Sequence, residues 1–186
     1  MPISIMSTAI PDVKLVKSDK IYDERGFFSE VYRRSDFEAA GLTVDFVQEN
    51  HSLSLPVGTV RGLHFQSHPF AQGKLVRVVR GRVFDVAVDI RRSSPTYAQH
   101  VTAELSAENW QQLWIPPGFA HGYCSLEPSC EIIYLVTQYY SKDHDRGILW
   151  NDKDIGICWP VDESSAILSE RDRAHPRLGE LPAFFS

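Results

Sequence analysis

Hydrophobic positions along the chain fall into many short runs, each broken by Gly, Pro or a cluster of small polar residues. Residues 10–32 read as extended segments around the turn Asp23-Glu24-Arg25-Gly26, with Phe27–Tyr32 alternating as a strand. Ser35–Gly41 predicts a short helix with a cap at one end and Gly at the other. Phe46–Ser54 is the next strand, and its period of two puts Gln48 and Asn50 on one face, toward a polar pocket or toward water. Leu55-Pro56-Val57-Gly58 turns the chain into a strand over Thr59–Phe65. Lys74–Val79 and Val83–Ile90, joined by Arg80-Gly81-Arg82, read as a hairpin. On its second strand Phe84, Val86, Val88 and Ile90 form an apolar face; Asp85, Ala87 and Asp89 form the other, which is either solvated or inside a polar barrel lumen. Further strands follow at Val101–Leu105, Trp110–Ile115, His121–Leu126 and Cys130–Thr137. Beyond residue 140 the pattern loosens into loops, with a short helix near Ala166–Arg173. Many short strands with Gly/Pro turns predict an all-β sandwich or barrel with short peripheral helices. No βαβ alternation and no phosphate-cradling Gly-rich loop is present, which argues against a Rossmann or P-loop enzyme.

The length of 186 residues predicts one domain over residues 1–186. A net charge of −5 gives no nucleic-acid footprint. The three cysteines, Cys124, Cys130 and Cys158, are odd in number and lack Cys-x-x-Cys spacing, so a reducing cytoplasm is expected. The N-terminus has no basic region before its apolar residues, and no apolar run approaches the roughly 20 residues of a membrane span.

The candidate chemistry lies on the predicted strands. His64, in Arg61-Gly62-Leu63-His64-Phe65-Gln66, places an imidazole beside a guanidinium and a glycine. Lys74, His121 and Tyr134 sit on other predicted strands, and together the four suit proton transfer next to a carbonyl. In a regular strand Arg61 and His64 point to opposite faces; either a bulge at Gly62 brings them together or Arg61 acts from a rim. Taken singly, each residue also reads as structural: His64 as a hydrogen-bonded core or rim imidazole, Lys74 as an exposed strand residue, Tyr134 as a strand tyrosine with its hydroxyl at the rim, Asp172 as a helix-end carboxylate.

Gly58 to His64 spells Gly-x5-His, and Pro116 to His121 spells Pro-x-Gly-x2-His, a pair of patterns that resembles a cupin. Metal-binding cupins need further ligands, but here the partner of His64 is Gln66, and Lys74 stands near the place of the carboxylate. Two histidines without a carboxylate fall short of a three-ligand site, so a cupin-type jelly roll without metal is expected.

Longer stretches resemble the dTDP-4-dehydrorhamnose 3,5-epimerase family over nearly the whole chain. They include Arg25-Gly26-Phe27-Phe28-Ser29-Glu30, Gln48-Glu49-Asn50-His51-Ser52, Arg61–Gln66, Gln72–Val76, Val83–Asp89, Ser94-Pro95-Thr96, Trp114–Gly122, Trp150-Asn151-Asp152 and Leu168–Asp172. The resemblance implies a homodimer of jelly-roll barrels in which N-terminal strands, about residues 1–35, cross to the partner, and a C-terminal helical segment over about 165–186. It implies a dTDP-4-keto-6-deoxy sugar substrate, no metal or organic cofactor, and no nucleic acid or membrane partner. By matching motif, His64 is the general base, Asp172 its carboxylate partner and Tyr134 the acid, with Lys74 near the sugar C4 oxygen. Arg25, Glu30, Gln48, Asn50, Arg61, His121, Asp145 and Arg171 are implied along the nucleotide and sugar sites, with Tyr140 stacked on thymine. Three positions depart from the family pattern: Asp145 replaces a usual Glu, Pro117 a usual Glu, and Tyr97-Ala98 a usual Phe-Gly.

The chemistry implied has its own logic. C3 and C5 of a 4-keto sugar both flank the ketone, so a base can remove either proton to give an enolate. A cation within hydrogen-bond reach stabilises the oxyanion, and a proton returned to the opposite face inverts the centre. Epimerisation at one centre only, ketoisomerisation, and sugar binding without catalysis are the competing functions.

Overall fold

The computed structural model describes residues 3–186, so the first two residues of the predicted crossing segment lie outside the described residues. The chain begins with β1 (Ile3–Ser7), β2 (Lys14–Ser18) and a small hairpin of β3 (Ile21–Asp23) and β4 (Gly26–Phe28). Helix α1 (Arg34–Ala39) leads to β5 (Gln48–Ser54), β6 (Val60–Gln66), β7 (Lys74–Arg80) and β8 (Arg82–Asp89). There follow β9 (His100–Ser106), β10 (Gln111–Ile115), β11 (Phe119–Ser125), β12 (Cys130–Val136), β13 (Asp145–Gly147) and α2 (Glu170–Arg173). The strands build a six-stranded sheet, β1-β2-β10-β7-β12-β5, and a five-stranded sheet, β13-β6-β11-β8-β9, with every strand pair antiparallel.

Residue parity explains how the two sheets stack. Val76, Val78, Leu113 and Ile132 from the first sheet meet Val83, Ala87, Leu105 and Phe119 from the second in a shared core. Each fully buried aliphatic side chain there contributes about 1.5–3 kcal/mol. The opposite parity of β8, Val86, Val88 and Ile90, packs under Ile148, Ile155, Leu178 and Phe185 from the C-terminal segment. The outer face of the six-stranded sheet is closed by Phe37 of α1 against Leu75 and Trp114.

Several elements differ from their sequence reading. β7 and β8 are not a hairpin: β7 pairs with β10 and β12, and β8 with β11 and β9. Gly81 alone, at φ +76°, carries the chain from one sheet to the other. Each strand buries both of its faces, and a hairpin exposed on one side would not satisfy that pattern. Ser35 lies inside the first turn of α1 rather than capping it; Arg33 is the N-cap, without a side-chain cap. The predicted helix near Ala166–Arg173 shortens to α2, whose Ser169 caps the Asp172 amide. Asp85 and Asp89 are fully buried, so this face of β8 is not solvated. Asp85 meets His121 of the cavity wall, as the lumen alternative expects, and Asp89 lies in a corner with Arg91, Ser94 and Thr96.

Asp89 organises a corner of the barrel. Burial alone would raise its pKa, but hydrogen bonds from Arg91, Ser94 and Thr96 overcome that and hold it at about 2. The same corner forces Ala98 into the left-handed region at φ 62°, where its amide donates to the Asp89 carbonyl at 2.9 Å. A Cβ at such a φ costs about 1–2 kcal/mol, and glycine entropy recovers only part of that difference. Ala98→Gly is therefore expected to stabilise the fold by about 0.5–1 kcal/mol, read as a raised thermal unfolding midpoint. An unchanged or lowered midpoint contradicts the strain assigned to this corner.

Candidate active site

A one-residue bulge makes the site. On β6, Arg61 pairs with Tyr123 and His64 pairs with His121, so three steps on one strand match two on the other. Both side chains thereby turn into the lumen. Gly62, at φ +137°, permits the bulge: a Cβ there would lie 2.6 Å from the Gly122 Cα. The resulting cavity, about 510 Å³, is lined by His64, Arg61 and His121 from the five-stranded sheet and by Lys74 and Tyr134 from the other.

His64 Nε2 lies 2.7 Å from Asp172 Oδ1. With Nε2–H donated to the carboxylate, the ring's lone pair is left on Nδ1. Burial lowers the His64 pKa more than the Asp172 contact raises it, and Lys74 and His175 lower it further, so a neutral imidazole is favoured near pH 7. Burial pushes the Asp172 carboxyl up, but the nearby His175 ring and the hydrogen bond with His64 outweigh this and hold it well below the usual carboxylate range.

Lys74 reaches across from β7, its Nζ 3.4 Å from the His64 carbonyl oxygen. It is buried, and this lowers its pKa to about 8 against the raising effect of Asp145 and Asp85. Tyr134, also on the six-stranded sheet, has its phenol pKa raised by burial, so it stays protonated. An imidazole supported by a carboxylate thus stands on one wall, and an ammonium and a phenol stand on the other. This arrangement can remove a proton, hold an oxyanion and deliver a proton.

A second cavity of about 320 Å³ adjoins the first and shares His64, Lys74, Tyr134 and Arg171 with it. Its wall carries the Gln48–Asn50 pair, hydrogen bonded at 2.8 Å, so these two amides face the pocket. Tyr140 donates its hydroxyl to Asp145 at 3.1 Å, and Arg171 pairs with the same carboxylate at 2.7 Å. The Tyr140 ring is otherwise exposed and free to stack. Asp145, one methylene shorter than Glu, still reaches both neighbours. Gln66 spends its amide on the backbone of Phe70, Tyr139 and Ser141. His121 is buried and held by Asp85 at 3.0 Å. Arg61 donates to Ser54 and Leu53, and Tyr123 approaches Ser52 and Ser54.

Arg25 and Glu30 do not join these residues within one chain. Arg25 is at the tip of the β3–β4 hairpin, 85% exposed and hydrogen bonded to Asp23. Glu30 follows that hairpin and lies 3.6 Å from Arg33. Sequence reasoning missed Tyr123 and His175. The signal for His175 is its spacing of three residues from Asp172, which brings its ring nitrogen to 3.6 Å from the same carboxylate. His64, Asp172 and His175 have donor types suited to a metal, within 4.8 Å of one another. Their 2.7 Å hydrogen bond and the neighbouring Lys74 charge suit a proton-holding pair better than a ligand set.

Two antiparallel sheets stacked as a jelly roll, with the reactive side chains inside the barrel, define a cupin-like protein built for acid–base chemistry. A family profile described as dTDP-4-dehydrorhamnose 3,5-epimerase matches residues 7–180. The chain is 54% identical over 179 residues to the dTDP-4-dehydrorhamnose 3,5-epimerase of Sinorhizobium fredii, covering 96% of this chain and 91% of that one. It is similar to the crystal structure of dTDP-6-deoxy-D-glucose-3,5-epimerase from Legionella pneumophila in complex with dTDP-4-keto-L-rhamnose: TM-score 0.93, 43% identity, covering 97% and 95% of the two chains. It is less similar to a 3'-monoepimerase from Streptomyces bikiniensis in complex with dTDP-quinovose: TM-score 0.86, 29% identity, covering 93% and 87%. The chain belongs to the dTDP-4-dehydrorhamnose 3,5-epimerase family.

The electrostatics of Lys74 can be read without any substrate. Followed by NMR in lysine-labelled protein, its side chain is expected to titrate near pH 8 instead of 10.5. Asp145→Asn removes a charge that raises this value, so the midpoint should fall further. A midpoint near 10.5 in the unmodified protein would show that Lys74 is solvated.

Proposed function

We propose that the chain converts dTDP-4-dehydro-6-deoxy-D-glucose to dTDP-4-dehydro-L-rhamnose by inverting C3 and C5. The observation that carries this reading is the placement of His64–Asp172 and of Lys74 with Tyr134 on opposite sheets around one cavity. His64 Nδ1 takes the proton beside the ketone, and Asp172 stabilises the imidazolium that forms. The C–H electron pair moves into the ring to give the enolate, whose C4 oxygen the Lys74 ammonium neutralises. Tyr134 then gives its proton to the carbon from the other face, and the enolate collapses back to the ketone. The tyrosinate regains a proton from solvent and His64 releases the one it took. His64, Lys74 and Tyr134 carry each proton transfer and charge at the sugar, and solvent resets their protonation.

Arg61, His121 and Arg171 serve the diphosphate and sugar, Gln48 and Asn50 the polar wall, and Tyr140 the thymine. Arg25 and Glu30 are contributed across a homodimer by N-terminal strands that cross to the partner. The β3–β4 hairpin supports this reading, because Ile21, Tyr22, Phe27 and Phe28 are all 48% or more exposed beside Arg25. A cytoplasmic location fits the free cysteines, with Cys124 and Cys130 buried. No helix among the described residues is long and apolar enough to cross a membrane.

Incubation with the 4-keto sugar nucleotide in D₂O tests the chemistry. Deuterium is expected at both C3 and C5; incorporation at one centre alone would instead favour the monoepimerase reading. His64→Ala should abolish exchange at both carbons, a loss of at least about 10²–10⁴-fold. Tyr134→Phe should still deprotonate, with deuterium returning on the original face or epimerised product lagging behind exchange. Unchanged rate and stereochemistry in Tyr134→Phe would remove Tyr134 from the acid role.

Mixing inactive variants tests the crossing strands. Arg25→Ala and His64→Ala chains, each deficient alone, should together regain activity, because a mixed dimer combines an intact His64 with an intact Arg25 in one pocket. Free redistribution gives about a quarter of the sites this composition. No recovery after verified chain exchange would show that Arg25 does not act across the dimer.

A further inference from the structure

His175 lies just past α2, three residues beyond Asp172, and its side chain is only 10% exposed. Its Nε2 is shielded from solvent and makes no hydrogen bond. The nearest carboxylate oxygen, Asp172 Oδ1, is 3.6 Å away, too long for a hydrogen bond but within direct electrostatic reach. That same oxygen receives His64 at 2.7 Å. The two imidazoles stand nearly perpendicular, with ring centres 5.7 Å apart.

A seat is built for this ring. Gly147 of β13 pairs with His64 on β6, and a Cβ at Gly147 would lie 2.2–2.4 Å from three atoms of the His175 ring. The ring therefore occupies the space that any other residue at 147 would fill. Packing does not account for it, because a buried nitrogen without a partner costs about 1–3 kcal/mol that Leu or Phe would avoid. The nitrogen is placed where the base and its carboxylate meet.

We propose that His175 is a positioning residue that shares Asp172 with His64 and so sets how firmly the carboxylate holds the base. The proposal rests on the reading of His64 as that base. As an Nε2–H tautomer, His175 presents its donor edge to the oxygen that already accepts from His64. This keeps Asp172 ionised and weakens its pull on the His64 ring. His64 then stays neutral and ready to accept a proton, in agreement with the lowering that His175 exerts on it. The other charged or titratable groups facing His64 are Lys74 from β7, His121 and Tyr123 from β11, Asp85 from β8, Asp145 from β13, Arg61 from its own strand, Tyr134 from β12, Tyr140 just beyond it, and Arg171 from α2. None of these changes identity in the variants below.

Nitrogen-15 NMR of histidine-labelled full-length protein, without substrate, reads the His64 protonation midpoint directly. His175→Leu removes the donor and is expected to raise that midpoint by about 0.5–1 pH unit, the size of one weak polar contact. His175→Gln keeps an N–H near the same place and should restore most of the wild-type value. Gly147→Ala displaces the ring without altering it and should mimic His175→Leu. The acid limb of kcat/KM should move up with the midpoint, while KM stays constant. An unmoved midpoint in a folded His175→Leu protein overturns the proposal, as does a His175→Gln midpoint shifted as far as that of Leu. The NMR result stands whether or not the protein turns over a keto sugar, so failure of the functional reading would show separately, in the exchange experiment.

Discussion

The contact between Gly62 and Gly122 is the constraint on which the site depends. Two backbones approach there more closely than any side chain allows, and the approach forces the extra residue into β6. Without it, strand alternation would aim Arg61 away from the lumen when His64 points in. The slip costs a regular ladder but places a guanidinium and an imidazole on one wall. The catalytic inventory is thus set by a local backbone irregularity rather than by side-chain choice alone.

Around that irregularity the barrel holds buried charge in small, closed groups. Asp89 is neutralised by Arg91 with help from two hydroxyls, and Asp85 is hydrogen bonded to His121. Such groups tolerate burial because each carboxylate meets hydrogen-bond partners with good geometry. Lys74 differs: its neighbours do not fully offset desolvation, which leaves its pKa near 8. An ammonium held in this state responds strongly to a negative charge appearing beside it, as an enolate would. The barrel thus carries a buried ammonium that its own neighbours leave incompletely compensated.

Strand positions were legible in the sequence because alternation and turn residues report local geometry. The limits of Val60–Gln66, Cys130–Val136 and the Gln48/Asn50 face follow from it closely. Sheet membership was not legible. A turn through Gly81 between two apolar strands looks the same whether the strands pair or diverge, and only the layers packed on their outer faces decide. The expectation that His64, Lys74 and Tyr134 share one cavity came from longer motifs, since spacing alone does not bring three strands together. His175 stayed hidden for a related reason. Its meaning comes from a glycine on a strand 28 positions earlier, a pairing that no local pattern records.

The division of the site between two sheets has a mechanical consequence. His64 belongs to one layer and Tyr134 to the other, with no strand pairing between β6 and β12. The span from one to the other is therefore a layer spacing, maintained by Val76, Ile132, Ala87 and their neighbours in the shared core. Interior volume therefore sets the width of the cavity: a methyl group added at Ala87 would act on the gap between the His64 imidazole and the Tyr134 phenol. In this barrel the packing of the shared core fixes the distance between the two walls of the cavity.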